Sequence, residues 1–272
     1  MPFHRTALEM IQQLAGFRVD HYPPEKTKFK SALVLVHGAW CSTEAWESWA
    51  THFCNLGWDC FAADLRRPAD ARLTLASWAA NLRQLLAAFP FPPVLLGINV
   101  GALAALAASG RASALVLVSP SPPGNFPASR SRAVRLLSLK YSALIWLRRV
   151  IRPDGKDFDR YFANHLPPGQ RAEVLSRTVP ESPHIVRELL SPASRFEPGS
   201  ADAPLLLLAG RQDRLYPPAD AERLARWLGA DFRLYDSHGH WMIAGPGEAI
   251  VRDTHRWLVQ RLGDRILLES FQ

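Results

Sequence analysis

Residues Gly97-Ile98-Asn99-Val100-Gly101 follow an apolar run, Pro93 to Leu96, and precede a small-residue helical pattern, Ala102 to Ala108. Small residues two before and two after a central position let a strand turn sharply into a helix while that position is held at positive φ. The residue usual at the centre of this G-x-S-x-G frame is a nucleophilic serine; here it is Asn99. Asparagine tolerates positive φ, so the turn survives the exchange. Its amide nitrogen, however, has its lone pair delocalised into the carbonyl, and no histidine usefully deprotonates it. Covalent attack from residue 99 is therefore closed. Taken alone, the five residues also fit a plain strand-to-helix turn.

Three further loops carry chemistry-bearing residues. Val36-His37-Gly38-Ala39-Trp40 stands directly after an apolar run, and a glycine turn there can aim backbone N–H groups of Ala39 and Trp40 at the same point as that of Val100, as in an oxyanion hole. Trp40 would wall the pocket. Ala209-Gly210-Arg211-Gln212-Asp213 ends another apolar run and precedes Leu215-Tyr216-Pro217-Pro218. A carboxylate at the C-terminal edge of a strand can orient a histidine, although Asp213 alone also fits a helix cap or a solvated loop. Ser237-His238-Gly239-His240-Trp241-Met242 offers two histidines, of which the Gly-His-aromatic order favours His240 over His238.

The elements that must position these loops follow from the apolar pattern. Ala32 to Val36, Cys60 to Ala63, Val94 to Leu96, Ala114 to Val118, Leu205 to Leu208 and Phe232 to Tyr235 are short apolar runs in front of turn residues. Helical patterns such as Leu75 to Phe89, Ala219 to Leu228 and Glu248 to Leu262 alternate with them. That alternation predicts an α/β protein with a doubly wound, mostly parallel sheet. The rhythm breaks between Pro120 and Ala203, where helical patterns are set off by Pro153, Pro167, Pro168, Pro180 and Pro183. This stretch reads as an inserted helical lid, giving a core of residues 1–119 and 204–272 and a lid of residues 120–203. The amphipathic start, Ala7, Leu8, Ile11 and Leu14, is expected to cover a sheet edge or meet another subunit.

At 272 residues the chain suits one sizeable core, and 48% hydrophobic with 21% charged residues is an ordinary globular balance. No apolar run reaches the roughly 18 residues of a membrane span, and Met1 to Leu14 lacks the layout of a signal peptide, so the expected location is cytoplasmic. Cys41, Cys54 and Cys60 have no C-x-x-C spacing and suggest neither a disulfide framework nor a metal site. Cys41 or Ser42, beside the oxyanion turn, is a candidate for a substitute nucleophile; Cys54 and Cys60 read as small buried hydrophobes. The net charge of +7 is concentrated between Phe126 and Pro153, where Arg130, Arg132, Arg135, Lys140, Arg148, Arg149 and Arg152 occur without an acidic residue. Either Leu137, Leu144, Leu147 and Ile151 form an inward stripe beneath solvated cations, or the segment attracts an anionic substrate, an acidic carrier or an anionic membrane surface. Nucleic acid is not expected as a partner.

The order elbow, acid, histidine resembles the Ser, Asp, His order of α/β-hydrolases. The resemblance runs from about Ser31 to the C-terminal helix and rests on His37-Gly38-Ala39-Trp40, the Gly97 to Gly101 frame, Gly210 to Asp213 with Pro217-Pro218, and Gly239-His240-Trp241. Val118 to Pro123 and Val179-Pro180-Glu181-Ser182 also look like bacterial members. It implies a lid over an apolar pocket, with Trp40, Ile98, Trp146 and Trp241 meeting the substrate, and cofactor-independent activity on a small apolar ester, thioester or related carbonyl compound, anionic or carrier-bound. Members commonly read Gly-His-Ser-x-Gly, and both inner positions differ here, as Ile98 and Asn99, which favours natural divergence over a single inactivating change. With Asp213 orienting His240 and the N–H donors in place, general-base catalysis contributes about 10² to 10⁴-fold and one oxyanion donor about 10² to 10³-fold. The leading expectation is thus noncovalent chemistry by His240, as a lyase, cyclase, isomerase or hydrolase, with Asn99 fixing the substrate. The alternatives are a hydrolase or dehalogenase-like enzyme altered at residue 99, and a noncatalytic pocket-binding protein.

Overall fold

The computed structural model describes residues 10–66, 72–129, 131–196 and 203–267. Its centre is an eight-stranded sheet in the order β1-β2-β4-β3-β5-β6-β7-β8, formed by β1 (Met10–Leu14), β2 (Phe17–Tyr22), β3 (Leu33–Val36), β4 (Cys60–Ala63), β5 (Val94–Ile98), β6 (Ala114–Val118), β7 (Leu205–Gly210) and β8 (Asp231–Tyr235). From β4 to β8 the pairing is parallel, and the inner strands β3, β5, β6 and β7 are buried along their whole length. A strand covered on both faces needs a continuous apolar run instead of alternation, which is how these segments read. The doubly wound sheet expected from sequence is the one observed.

The amphipathic start is a correction. Ile11 and Leu14 belong to β1, which pairs antiparallel with β2 through a turn at Ala15 and Gly16, both at positive φ. The segment is itself the sheet edge, and Ala7 and Leu8 lie outside the described residues.

Around the sheet pack α1 (Glu47–Asn55), α2 (Leu75–Leu86), α3 (Val100–Ala107) and, between β6 and β7, α4 (Arg132–Trp146), α5 (Gly155–Asp157) running into a π-helical turn at Phe158–Phe162, α6 (Pro168–Ser176) and α7 (Pro183–Leu190); α8 (Pro218–Leu228) and α9 (Glu248–Leu262) follow. Their ends have local causes. Thr74 and Ser77 form a reciprocal capping box on α2, proline occupies the first turn of α6, α7 and α8, and Gly229 closes α8 in the left-handed conformation. On α9 the stripe Ile250, Val251, Thr254, Trp257, Leu258 and Leu262 is buried as its spacing requires.

Helix α4 departs from expectation. Ala133, Val134, Leu137 and Tyr141 face inward and Ile151 is buried beyond the helix, but Leu144 and Leu147 are exposed. The helix ends at Trp146, so helical spacing no longer fixes the side taken by residues 147 and 151, and Leu144, one turn from that end, is only partly covered. Arg130 lies outside the described residues. No described helix is long and apolar enough to cross a membrane.

Candidate active site

Asn99 is the N-cap of α3, at φ 42° and ψ −111°, at the C-terminal end of β5. The turn depends on its flanking glycines: a Cβ on Gly97 would overlap the Gly101 carbonyl, and one on Gly101 the His37 carbonyl. The Asn99 side chain does not project into open space. Its Oδ1 accepts the Ala39 N–H at 3.0 Å and also the Val100 N–H. The two donors expected to form an oxyanion hole do converge, and the acceptor between them is the protein's own amide oxygen. The arrangement is tight, since a Cβ on Gly38 would overlap that amide.

The third expected donor is directed elsewhere. Trp40, at φ 62°, turns its N–H toward the Glu181 carboxyl. Its carbonyl accepts Val179 N–H at 3.0 Å and its indole Nε1 donates to the Ile151 carbonyl at 3.0 Å. Residues 151 and 181 also exchange two backbone hydrogen bonds of 2.9 Å. Trp40 is therefore clamped by the segment between β6 and β7, and its N–H, unlike those of Ala39 and Val100, does not donate to Asn99 Oδ1.

His240 and Asp213 meet as the sequence order requires. Asp213 Oδ2 lies 2.9 Å from His240 Nδ1, while Oδ1 accepts Leu215 N–H at 2.8 Å and Tyr216 N–H at 2.9 Å. An ionised carboxylate with this partner set makes Nδ1 the protonated nitrogen and leaves a lone pair on Nε2, the form a general base needs. His240 Nε2 is buried with no hydrogen-bond partner, as is Asn99 Nδ2. The imidazole is flanked by Phe162 and Tyr216, each with ring centroids 5.5 Å away. Gln212 N–H donates to the His238 carbonyl at 2.8 Å, and a Cβ on Gly210 would overlap that carbonyl, so the acid and histidine loops are locked together.

Tyr216 connects this pair to the elbow. Its hydroxyl donates to the Leu189 carbonyl and lies near Ser121, whose N–H donates to the Asn99 carbonyl at 3.2 Å. His37 is structural: Leu65 N–H donates to its Nε2 at 3.2 Å, Nδ1 faces the Gly38 carbonyl, and burial holds its pKa below the usual histidine value. His238 is paired with Ser237 across 3.1 Å and bonds neither Asp213 nor Asn99. Burial pushes the Cys41 thiol up to about 12, which disfavours the thiolate that a substitute nucleophile needs.

Access is restricted. Asn99 and His240 are both fully buried. A cavity of about 760 Å³ opens instead between α1 and α6 and is lined by Trp40, Trp241, Leu166, Val174, Ile243 and Arg177 among others, but by neither Asn99 nor His240. Trp40 and Trp241, which line this cavity, are the chain neighbours of Ala39 and of His240. Arg177, the C-cap of α6, pairs with Glu173 at 2.8 Å and reaches Glu47 of α1 at 3.9 Å, bridging the cavity rim. Ile98 is buried within β5, and Trp46 and Trp49 pack edge to face in the core. Trp146 is 81% exposed on the face of α4 opposite its buried stripe and does not line the cavity, so its expected contact with substrate is not made here.

Glu181 carries a property that its sequence context did not reveal. It is buried, its Oε1 accepts the Ser182 N–H at 2.8 Å, and Oε2 has no hydrogen-bond partner. Burial raises its pKa to about 7 against the opposing pull of Arg66. Only packing decides whether a glutamate after a proline is solvated or enclosed. Among the described residues no group of three or more His, Cys, Asp or Glu is placed to hold a metal ion.

Solved structures with this architecture include a bacterial membrane phospholipase A described as a virulence factor (17% identity, 95% of this chain and 87% of that one covered, TM-score 0.72). MenH from S. aureus (16%, 90% and 99%, 0.71) and an esterase from Exiguobacterium antarcticum (18%, 91% and 98%, 0.69) are similar to the same degree. At these identities the likeness is one of fold. No curated protein sequence matches the chain. A family profile does match, over residues 33–253, a span that contains the Gly38 turn, the elbow, Asp213 and His240. The chain belongs to the alpha/beta hydrolase family.

Proposed function

We propose that this protein is an enzyme acting on an apolar carbonyl substrate, an ester, thioester or related compound, by general acid–base catalysis from the His240–Asp213 pair without an acyl-enzyme. The observation that carries this reading is the ordering of His240: Nδ1 is held by a carboxylate that itself accepts two backbone N–H groups, while Nε2 is buried and unpartnered. A buried ring nitrogen without a partner is costly unless something is meant to meet it. A substrate carbonyl oxygen is the same kind of acceptor as Asn99 Oδ1 and can replace it between Ala39 N–H and Val100 N–H. The displaced amide then offers Nδ2–H to the substrate, and His240 Nε2 takes a proton from substrate or from water. The helical segment 120–203 serves as the lid, and its clamp on Trp40 must loosen for the substrate to pass from the cavity to the buried pair. Lyase, cyclase, isomerase and noncovalent hydrolase chemistry all use these groups.

The test is turnover of a panel of apolar esters, thioesters and β-carbonyl compounds by the wild type and by His240→Ala. Loss of at least 10²-fold in kcat is expected; unchanged kcat sinks the assignment. Asn99→Ser separates a second possibility, an ester hydrolase altered at one position, because it should then gain burst-phase hydrolysis of an activated ester. A noncatalytic pocket-binding role is favoured by a different observation, the self-occupied hole and sealed histidine. It predicts tight binding of an apolar ligand in the 760 Å³ cavity with no turnover and no dependence on His240.

A further inference from the structure

Helix α4 is apolar on two opposite faces. Ala133, Val134, Leu137 and Tyr141 are buried, whereas Leu136, Leu139, Ala143 and Trp146 are exposed. At 3.6 residues per turn these four fall within an arc of about 80°. Past the helix end the exposed apolar surface continues through Leu147 and Val150, and with Leu144, on the other side of the helix near its buried stripe, six of the eleven large exposed hydrophobic residues among those described lie between positions 136 and 150. Scattered exposed hydrophobes need no explanation, but a contiguous cluster of this kind does.

Cations frame the patch. Arg132, Arg135, Arg148, Arg149 and Arg152 are exposed, and none makes an ion pair among the described residues. The neighbouring carboxylates Asp154 and Asp157 are turned to Lys140, at 3.3 Å from its Nζ in the first case and in direct contact in the second. No acidic residue occurs from Phe126 to Pro153.

From this pairing of a protruding apolar stripe with unpaired arginines, we infer that α4 and the residues up to Arg152 form a docking surface for an anionic lipid bilayer. Acyl chains accept the leucines and Trp146, and lipid phosphates accept the guanidinium groups at the interface. A second copy of the chain is a poorer occupant, because a two-fold contact through this face would bring two sets of unpaired arginines together. The surface also runs directly into Ile151, whose carbonyl holds Trp40 Nε1. A bilayer seated here therefore lies on the same segment that clamps the wall of the candidate site. The inference does not depend on which reaction, if any, His240 performs.

The experiment is flotation of the whole protein with vesicles of phosphatidylcholine alone or with phosphatidylglycerol added, at low and at 0.5 M salt. Trp146 reports insertion directly, since the other eight tryptophans are buried or partly buried. Its emission should shift to the blue, and brominated lipids should quench it, only with anionic vesicles. Each arginine near such a surface is worth roughly fivefold in partitioning, so Arg148→Gln with Arg149→Gln should weaken binding about 25-fold. Leu139→Ser with Trp146→Ser should abolish it while the thermal melt stays intact. Failure to bind anionic vesicles at low salt overturns the inference. So does binding that is equal on pure phosphatidylcholine, or a Trp146 signal already shielded by self-association without lipid.

Discussion

Replacing Asn99 by glycine tests whether the amide truly competes for the oxyanion position. The wild-type side chain satisfies Ala39 N–H and Val100 N–H, two buried donors worth about 0.5–1.5 kcal/mol net each, so emptying the hole costs roughly 2 kcal/mol. Any ligand that places an oxygen there in the wild type must first meet that cost. Glycine removes the competitor and is at ease at φ 42°, relieving backbone strain of about 1–3 kcal/mol. The two contributions oppose each other, so Asn99→Gly should melt within a few degrees of the wild type, whereas Asn99→Ala, which loses the bonds and keeps the strain, should be less stable by about 1–3 kcal/mol. Affinity for an arylphosphonate, measured by calorimetric titration, should rise about thirtyfold in Asn99→Gly, the equivalent of about 2 kcal/mol. Equal affinities for wild type and glycine variant would show that the amide does not hold the site closed and that a ligand oxygen does not displace it from the two donors.

Three other outcomes follow from the same geometry. Gly38→Ala places a methyl group where the Asn99 amide now sits and should either expel the amide, mimicking Asn99→Gly in the titration, or destabilise the protein by a few kcal/mol; a neutral substitution with unchanged ligand affinity contradicts the packing described. Glu181 has a folded pKa of about 7 against an ordinary 4.5, so the folded state keeps a proton that the unfolded state releases, and stability declines as pH rises from about 4.5 to about 7. Glu181→Gln should remove that decline, gaining roughly 3 kcal/mol on the wild type across the window, and denaturant titrations at pH 4 and pH 8 that give the same difference would refute the enclosure of this carboxyl beside Arg66 and Asp64. Cys41, buried and protonated, should resist iodoacetamide at pH 7.5 in the native protein and react only after unfolding, as read by mass spectrometry of the modified peptide.

Much of the scaffold could be read from local pattern. Continuous apolar runs marked the parallel strands because a strand covered on both faces has no polar side to show, and the stripe on α9 marked its inner face through helical period. Gly97 and Gly101 revealed the elbow because close backbone approach excludes a Cβ there. The edge hairpin of β1 and β2 was hidden, since its mixed polar composition lacks either signature and its pairing is settled by the neighbouring strands.

The order of elbow, acid and histidine was legible in the chain, and with it the meeting of His240 and Asp213, because loops at the C-terminal ends of successive parallel strands are brought to one edge of the sheet. The chemistry that this edge presents was not. That Asn99 turns its oxygen into the donors of residues 39 and 100, that the cavity is lined by Trp40 and Trp241 and not by the histidine, and that Trp146 faces outward are matters of rotamer and of contact between segments distant in the chain. Residue type lays down which groups are available; only the packing of remote segments around them determines which groups meet and which are kept from solvent.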